Sequence, residues 1–131
     1  ILHLALSQIK QKEDIKVVIE TLFAKGKCDI SQYEKLKKQL PLLLESEQIS
    51  KYFTPNWEVR TEKEILIETG EVYIPDRLVF DGKKVTIIDY KTGDKKPKHQ
   101  TQIHNYANAL KKMGYRVAGT DLIYTKDILR K

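Results

Sequence analysis

Ile74-Pro75-Asp76-Arg77-Leu78-Val79-Phe80-Asp81-Gly82-Lys83-Lys84-Val85-Thr86-Ile87-Ile88-Asp89-Tyr90-Lys91-Thr92-Gly93 is the stretch that decides how this chain reads. Two apolar runs flank Asp81-Gly82, a dipeptide suited to a hairpin turn. Side chains two apart on a strand share a face, so Asp76 falls with Val72 and Ile74, while Asp89 and Lys91 fall with Val85 and Ile87. The charges therefore point where apolar residues point. A two-residue or four-residue loop sets Asp76 opposite Ile87 or Asp89, and in both registers the two aspartates share one face, about 5 to 8 Å apart at Cβ.

Two half-buried carboxylates at that distance repel each other and lose solvation, and a cation between them is the simplest compensation. A hard divalent ion, Mg²⁺ or Mn²⁺, prefers oxygen ligands and keeps waters, which leaves room for a phosphate oxygen and an attacking water. Lys91, on the same face, is placed to orient that water or to neutralise charge developing at phosphorus. The plainer alternative makes Asp76 a strand-end residue and Asp89 a structural partner of Lys91 or Arg77. The spacing and the shared face favour a phosphodiester hydrolase.

Outward from this hairpin the elements fall into place. Val59, Ile65, Ile67, Val72, Ile74, Leu78, Phe80, Val85 and Ile87 lie mostly at period two, broken by Thr69-Gly70 and Asp81-Gly82, which predicts three consecutive antiparallel strands. A helix from about Pro97 to Met113 follows, with Ile103, Ala107 and Leu110 on its buried stripe and Gly114 at its end, and a strand from Arg116 to Tyr124 completes the sheet. Residues before Pro55 read as helical. Leu2, Leu6 and Ile9 recur at helical spacing, then Ile15, Val18, Ile19 and Phe23 up to Gly26. Asp29 or Ser31 caps the next segment, which carries Tyr33, Leu36, Leu40, Leu43 and Leu44 and is expected to break or kink at Pro41 before a short helix toward Phe53. The fold class is α/β, a mixed central sheet flanked by helices. Residues 1–131 make one domain, with a helical part over 1–55 and a catalytic sheet and helix over 56–131.

Composition agrees with a globular domain. The chain has 131 residues, 40% hydrophobic and 32% charged, and a single cysteine, Cys28, which excludes an internal disulfide and any four-cysteine metal or cluster site. No apolar run approaches the roughly 20 residues of a membrane span, and a cytoplasmic home is expected. Starting at Ile1 and ending at Lys131, the chain reads as a domain of something longer. Of the net charge of +6, the segment from Lys91 onward holds ten Lys or Arg against three Asp, +7, and residues 1–90 hold fourteen against fifteen, −1. The basic third is the part that would draw nucleic acid.

Pro75-Asp76 followed by Asp89-Tyr90-Lys91 resembles the bipartite signature of the PD-(D/E)XK nuclease superfamily. Ile87-Ile88-Asp89-Tyr90-Lys91-Thr92-Gly93, with Gln102-Ile103-His104-Asn105-Tyr106 downstream, is similar to its RecB-like branch, the C-terminal nuclease of bacterial helicase–nucleases, and Leu2-His3-Leu4-Ala5-Leu6 matches the helix that opens that domain. The resemblance covers nearly the whole chain and implies a restriction-endonuclease-like core. It implies that His3, Asp76, Asp89 and the backbone carbonyl of Tyr90 hold Mg²⁺ or Mn²⁺, that Lys91 assists catalysis, and that Gln102 and Tyr106 line the site. Glu64 or Glu62 is the further acid of the family. From the residues themselves, Lys95, Lys96 and Lys98 read as a loop that contacts phosphates or else as a charged turn, and His99, three before Gln102, reads as a solvated helix start or as a residue that reaches DNA from that side. The implied activity is a DNA exonuclease acting on single strands or ends, with a helicase as partner, in double-strand-break repair and recombination. Relatives that hold an iron–sulfur cluster on four cysteines are excluded. Two alternatives keep the fold: an inactive DNA-binding module, and a structure-selective endonuclease.

Overall fold

Gly82, at φ +63°, turns the chain between strand β4 (Arg77–Asp81) and strand β5 (Lys84–Lys91), and Asp81 pairs with Lys84 across the turn. The loop is Gly82-Lys83, two residues set one step on from the expected Asp81-Gly82, so the register is the one in which Asp76 meets Asp89 and not Ile87; it runs back through Leu78–Ile87 to Arg77–Ile88. One further step along it puts Asp76 opposite Asp89. The computed structural model describes residues 1–61, 65–66, 72–73 and 75–130, with the backbone alone at 65–66 and 72–73. Glu62, Glu64 and Ile74 lie outside the described residues.

Strand β1 (Glu58–Arg60) pairs antiparallel with β4, and β2 (Ile65–Leu66) pairs antiparallel with β3 (Val72–Tyr73) in the same register. On the other side of β5, strand β6 (Arg116–Tyr124) runs parallel to it, giving a mixed sheet of order β1-β4-β5-β6. Parallel neighbours cannot be joined by a tight turn and need a crossover. Helix α5 (Pro97–Lys112) is that crossover. Pro97 occupies its first turn, where a missing N–H goes unused, Lys111 and Lys112 complement the negative end of its dipole, and Gly114 at φ +95° turns the chain away from it.

One face of the sheet presents Leu78, Phe80, Val85 and Ile87 to Ile103, Tyr106, Ala107 and Leu110 of α5, and these residues form one buried cluster. The other face is buried too: Ile88, next to Ile87, is equally inaccessible at 0% exposure, as are Val79, Tyr90 and Ile123 nearly so. The centre of the sheet thus departs from the expected period-two alternation and carries the continuous apolar run of a strand covered on both faces.

The chain forms two compact units, Ile1–Asn56 with Asp127–Lys131, and Trp57–Lys126. The first holds α1 (Leu2–Gln8), a 3-10 turn (Lys12–Asp14), α2 (Ile15–Ala24), α3 (Ile30–Glu45) and α4 (Glu47–Ser50). Asp29 and not Ser31 is the cap of α3. Its carboxylate accepts from the Gln32 N–H at 2.8 Å while the Gln32 side chain accepts from the Asp29 N–H at 2.9 Å, a reciprocal capping box. Of the expected break or kink at Pro41, the break does not occur: α3 runs through it. An interior proline costs about 3 kcal/mol, whereas burying each of Leu36, Leu40, Leu43 and Leu44 on the helix's inner stripe stabilises by roughly 1.5–3 kcal/mol, so packing wins. A short helix absent from the expected elements, α6 (Thr125–Leu129), follows β6 directly.

Because no described residue lies within 4 Å of where a Cβ on Gly82 would stand, replacing it tests backbone strain. Gly82→Ala is expected to lower unfolding stability by about 1–2 kcal/mol and Gly82→Asn by less, as read from urea midpoints. Equal stability of all three proteins would show that the left-handed turn does not hold the register.

Candidate active site

The β4–β5 register and the α5 crossover converge on one end of the sheet. Asp89 is nine-tenths buried or more, at 4% exposure, on the face that carries Ile87 toward α5. The Asp76 carboxyl, just before β4, shares a hydrogen bond with the Asp89 side chain and accepts from the Tyr90 N–H at 2.7 Å. Lys91 stands two residues on from Asp89 with its Nζ 2.8 Å from Asp89 Oδ2 and 2.7 Å from Gln102 Oε1 of α5. The Lys91 approach is a charge contact off the hydrogen-bonding direction: Asp89 Oδ2, fully buried, accepts no hydrogen bond from the described residues. Asp76, Asp89, Lys91 and Gln102 are brought together.

Electrostatics follow from this crowding. Desolvation, the hydrogen bond with Asp89 and repulsion by Asp89 push Asp76 from an ordinary 3.8 up to about 8, against the opposing pull of the Tyr90 N–H and Lys91. Without a metal the acid pair therefore shares a proton at neutral pH. A proton and a divalent cation are alternative ways of relieving the same repulsion, and the buried Asp89 oxygen, which accepts no hydrogen bond from the described residues, suits an ion. Among the described residues no three His, Cys, Asp or Glu side chains gather as a metal-holding group. Two carboxylates fit Mg²⁺, which keeps several waters and is commonly held by one or two carboxylates together with substrate phosphate.

The remaining expected residues are distributed as follows. Tyr106, one turn after Gln102, has its ring in the core cluster at 4% exposure. His3 lies exposed on α1 of the helical unit. The Tyr90 ring is buried on the face opposite Asp89, where burial pushes its phenol pKa up. Arg77, also at 0% exposure, alternates with Leu78 and so belongs to that opposite face, while Lys91 forms the ion pair with Asp89. Lys95 lies 5.6 Å above the Tyr124 ring, Lys96 is the N-cap of α5, and Lys98 is in its first turn. His99 Nδ1 is 2.9 Å from the Tyr124 hydroxyl.

Tyr124 was not among the expected site residues. It pairs with Lys91 across the parallel β5–β6 ladder, and the signal was available: a strand-helix-strand crossover sets the ends of its two parallel strands side by side, where α/β sheets bind ligands. Thr125 likewise closes on the site, its Oγ1 donating to the Lys91 carbonyl at 3.3 Å. Lys126 pairs with Asp94 at 2.8 Å and ties the end of β6 to the loop after β5.

The family model described as the PD-(D/E)XK nuclease superfamily matches residues 1–128 of the chain. No curated protein matches it.

The raised Asp76 pKa makes a stability prediction with a definite sign. Between the unfolded value near 3.8 and the folded value of about 8, the folded state binds the extra proton, so raising the pH favours unfolding. Metal-free protein in EDTA should lose stability from about pH 4 to about pH 8, with Asp76 contributing at most ~1.4 kcal/mol per pH unit. Asp76→Asn should remove that share of the slope, and Mn²⁺ should stabilise the wild type more at pH 8 than at pH 6. Identical slopes for the wild type and Asp76→Asn in EDTA would refute the shared proton.

Proposed function

The chain belongs to the PD-(D/E)XK nuclease superfamily, and from that premise we propose a Mg²⁺- or Mn²⁺-dependent deoxyribonuclease, acting as an exonuclease on single-stranded or frayed DNA ends. The observation that carries this reading is the acid pair. A structural ion pair accounts for Asp89 with Lys91, but not for a second carboxyl pressed against Asp89 at a pKa near 8. Two acids and one lysine leave a negative charge for a cation to meet.

In this proposal Asp76 and Asp89 hold the metal, with His3 and the Tyr90 carbonyl as further ligands on the strength of the sequence resemblance. When bound, such an ion supplies Lewis-acid chemistry, drawing charge from a phosphate oxygen and acidifying water. Lys91 does the rest of the local work. Its ammonium, held between Asp89 and Gln102, donates to the attacking water or to the oxygen on which charge grows as the P–O bond breaks. Gln102 accepts one Lys91 proton and so fixes the direction of the other two. Tyr106 supports the helix face from which Gln102 projects, its ring anchored in the core. Lys95, Lys96 and Lys98 draw the phosphate backbone toward this end of the sheet. A helicase outside this chain feeds the strand, in double-strand-break repair and recombination.

End-labelled single-stranded DNA, incubated with Mg²⁺ or Mn²⁺, should be degraded by the wild type and left intact with EDTA or by Asp89→Ala of confirmed fold. Lys91→Met should slow cleavage about 10²–10³-fold, and circular single strands should survive. Folded wild type that neither cleaves nor binds metal would replace this reading with an inactive DNA-binding module, and cleavage of circles would make it an endonuclease.

A further inference from the structure

Beside the acid pair, an open cleft of about 510 Å³ is lined by Lys91, Lys98, His99, Thr101, Gln102 and Asn105. Its chemistry is one-sided. Among the described residues, two lysines and a histidine face it with three neutral hydrogen-bonding side chains and no carboxylate. Lys91 and Gln102 belong both to this wall and to the acid pair's surroundings, so the cleft opens directly off the reacting centre. His99 is held in place: the Tyr124 hydroxyl contacts Nδ1 at 2.9 Å, and the two rings lie 5.7 Å apart. Desolvation and the positive charges of Lys91, Lys98 and Lys96 hold the His99 pKa below its ordinary value. A neutral ring that accepts from Tyr124 at Nδ1 carries its proton on Nε2, where it is a donor.

We propose that this cleft is a phosphodiester subsite that holds the phosphate next to the scissile one on the same DNA strand, with Lys98 and His99 Nε2 as its anion-binding groups and Tyr124 as the residue that positions His99. The subsite deepens the nuclease reading and rests on it for its place beside a scissile bond. It accounts for a wall whose described lining is cationic and neutral, with Lys91 paired to Asp89 behind it, and for a histidine that Tyr124 holds by Nδ1. A strand anchored there is fixed in register before the reacting phosphate meets the metal and Lys91.

The test is the affinity of a fluorescein-labelled single-stranded oligonucleotide in EDTA, where no cleavage intervenes, paired with KM and kcat in Mn²⁺. His99→Ala and Lys98→Ala should each weaken binding about tenfold. Tyr124→Phe should act in the same direction, and His99→Lys should recover most of the lost affinity because it restores a donor without restoring the Tyr124 contact. In turnover the His99→Ala loss should fall on KM rather than kcat. Wild-type affinity in folded His99→Ala and Lys98→Ala overturns the subsite, and so does His99→Lys binding no better than His99→Ala, which would mark His99 as structural. The nuclease reading survives either result as long as the wild type cleaves and Asp89→Ala does not. Loss of binding in the variants together with a wild type that never cleaves would overturn the nuclease reading and, with it, the placement beside a scissile bond.

Discussion

Everything at the candidate site depends on two carboxylates held where neither is well solvated. The two-residue turn at Gly82-Lys83 fixes a register in which Asp76 and Asp89 face each other, and the same register buries Leu78, Phe80, Val85 and Ile87 under α5. Slipping by one residue would part the acids, and it would also turn every one of those apolar side chains to the wrong face. The packing energy of the core thus maintains an electrostatic arrangement that is unfavourable by itself. Lys91 offsets one negative charge and a proton or a cation must offset the other, which is why the Asp76 carboxyl titrates near 8 in the absence of metal.

The parallel half of the sheet contributes a different element. Crossing from β5 to β6 through α5 returns the chain so that Tyr124 arrives beside Lys91, and the first turns of α5 hang over the same end of the sheet. Gln102, His99 and Lys98 are therefore supplied by one helix, in steps that keep them on one side of it, while Ile103, Ala107 and Leu110 face the core. The acids and Lys91 come from the antiparallel hairpin, and Gln102, His99 and Lys98 come from the crossover. The two sources meet at the C-terminal end of β5.

Much of this was legible in the sequence. The hairpin, the shared face of Asp76, Asp89 and Lys91, the span of α5 and the bounds of the last strand all follow from periodicity and turn residues, because each is fixed by contacts close in sequence. Less legible were features decided by distant packing. Pro41 argued for a break that four buried leucines override. Period two singled out Val85 and Ile87 on β5, yet Ile88 and Tyr90 are buried as well. The pairing of His99 with Tyr124 spans 25 residues and is visible only once β5 and β6 are known to be parallel neighbours. Asp76 against Asp89 was legible as proximity, but the hydrogen bond between them and the backbone donor from Tyr90 depend on atomic positions that no pattern encodes.

Tyr90 shows how one residue can serve both faces of a strand. Its ring is buried on the side away from the acids, and strand geometry then obliges its neighbours Asp89 and Lys91 to project toward α5. Its N–H, lying in the plane of the sheet, donates to Asp76 at 2.7 Å. The ring thus fixes the rotation of β5 about its own axis, and the amide fixes the one acid that stands outside a strand. A smaller apolar residue at position 90 would leave the amide in place but weaken the hold on rotation, and with it the aim of Asp89 and Lys91. The apolar burial of Tyr90 is in this sense part of the polar site, since the direction of two charged side chains is set by what lies between them.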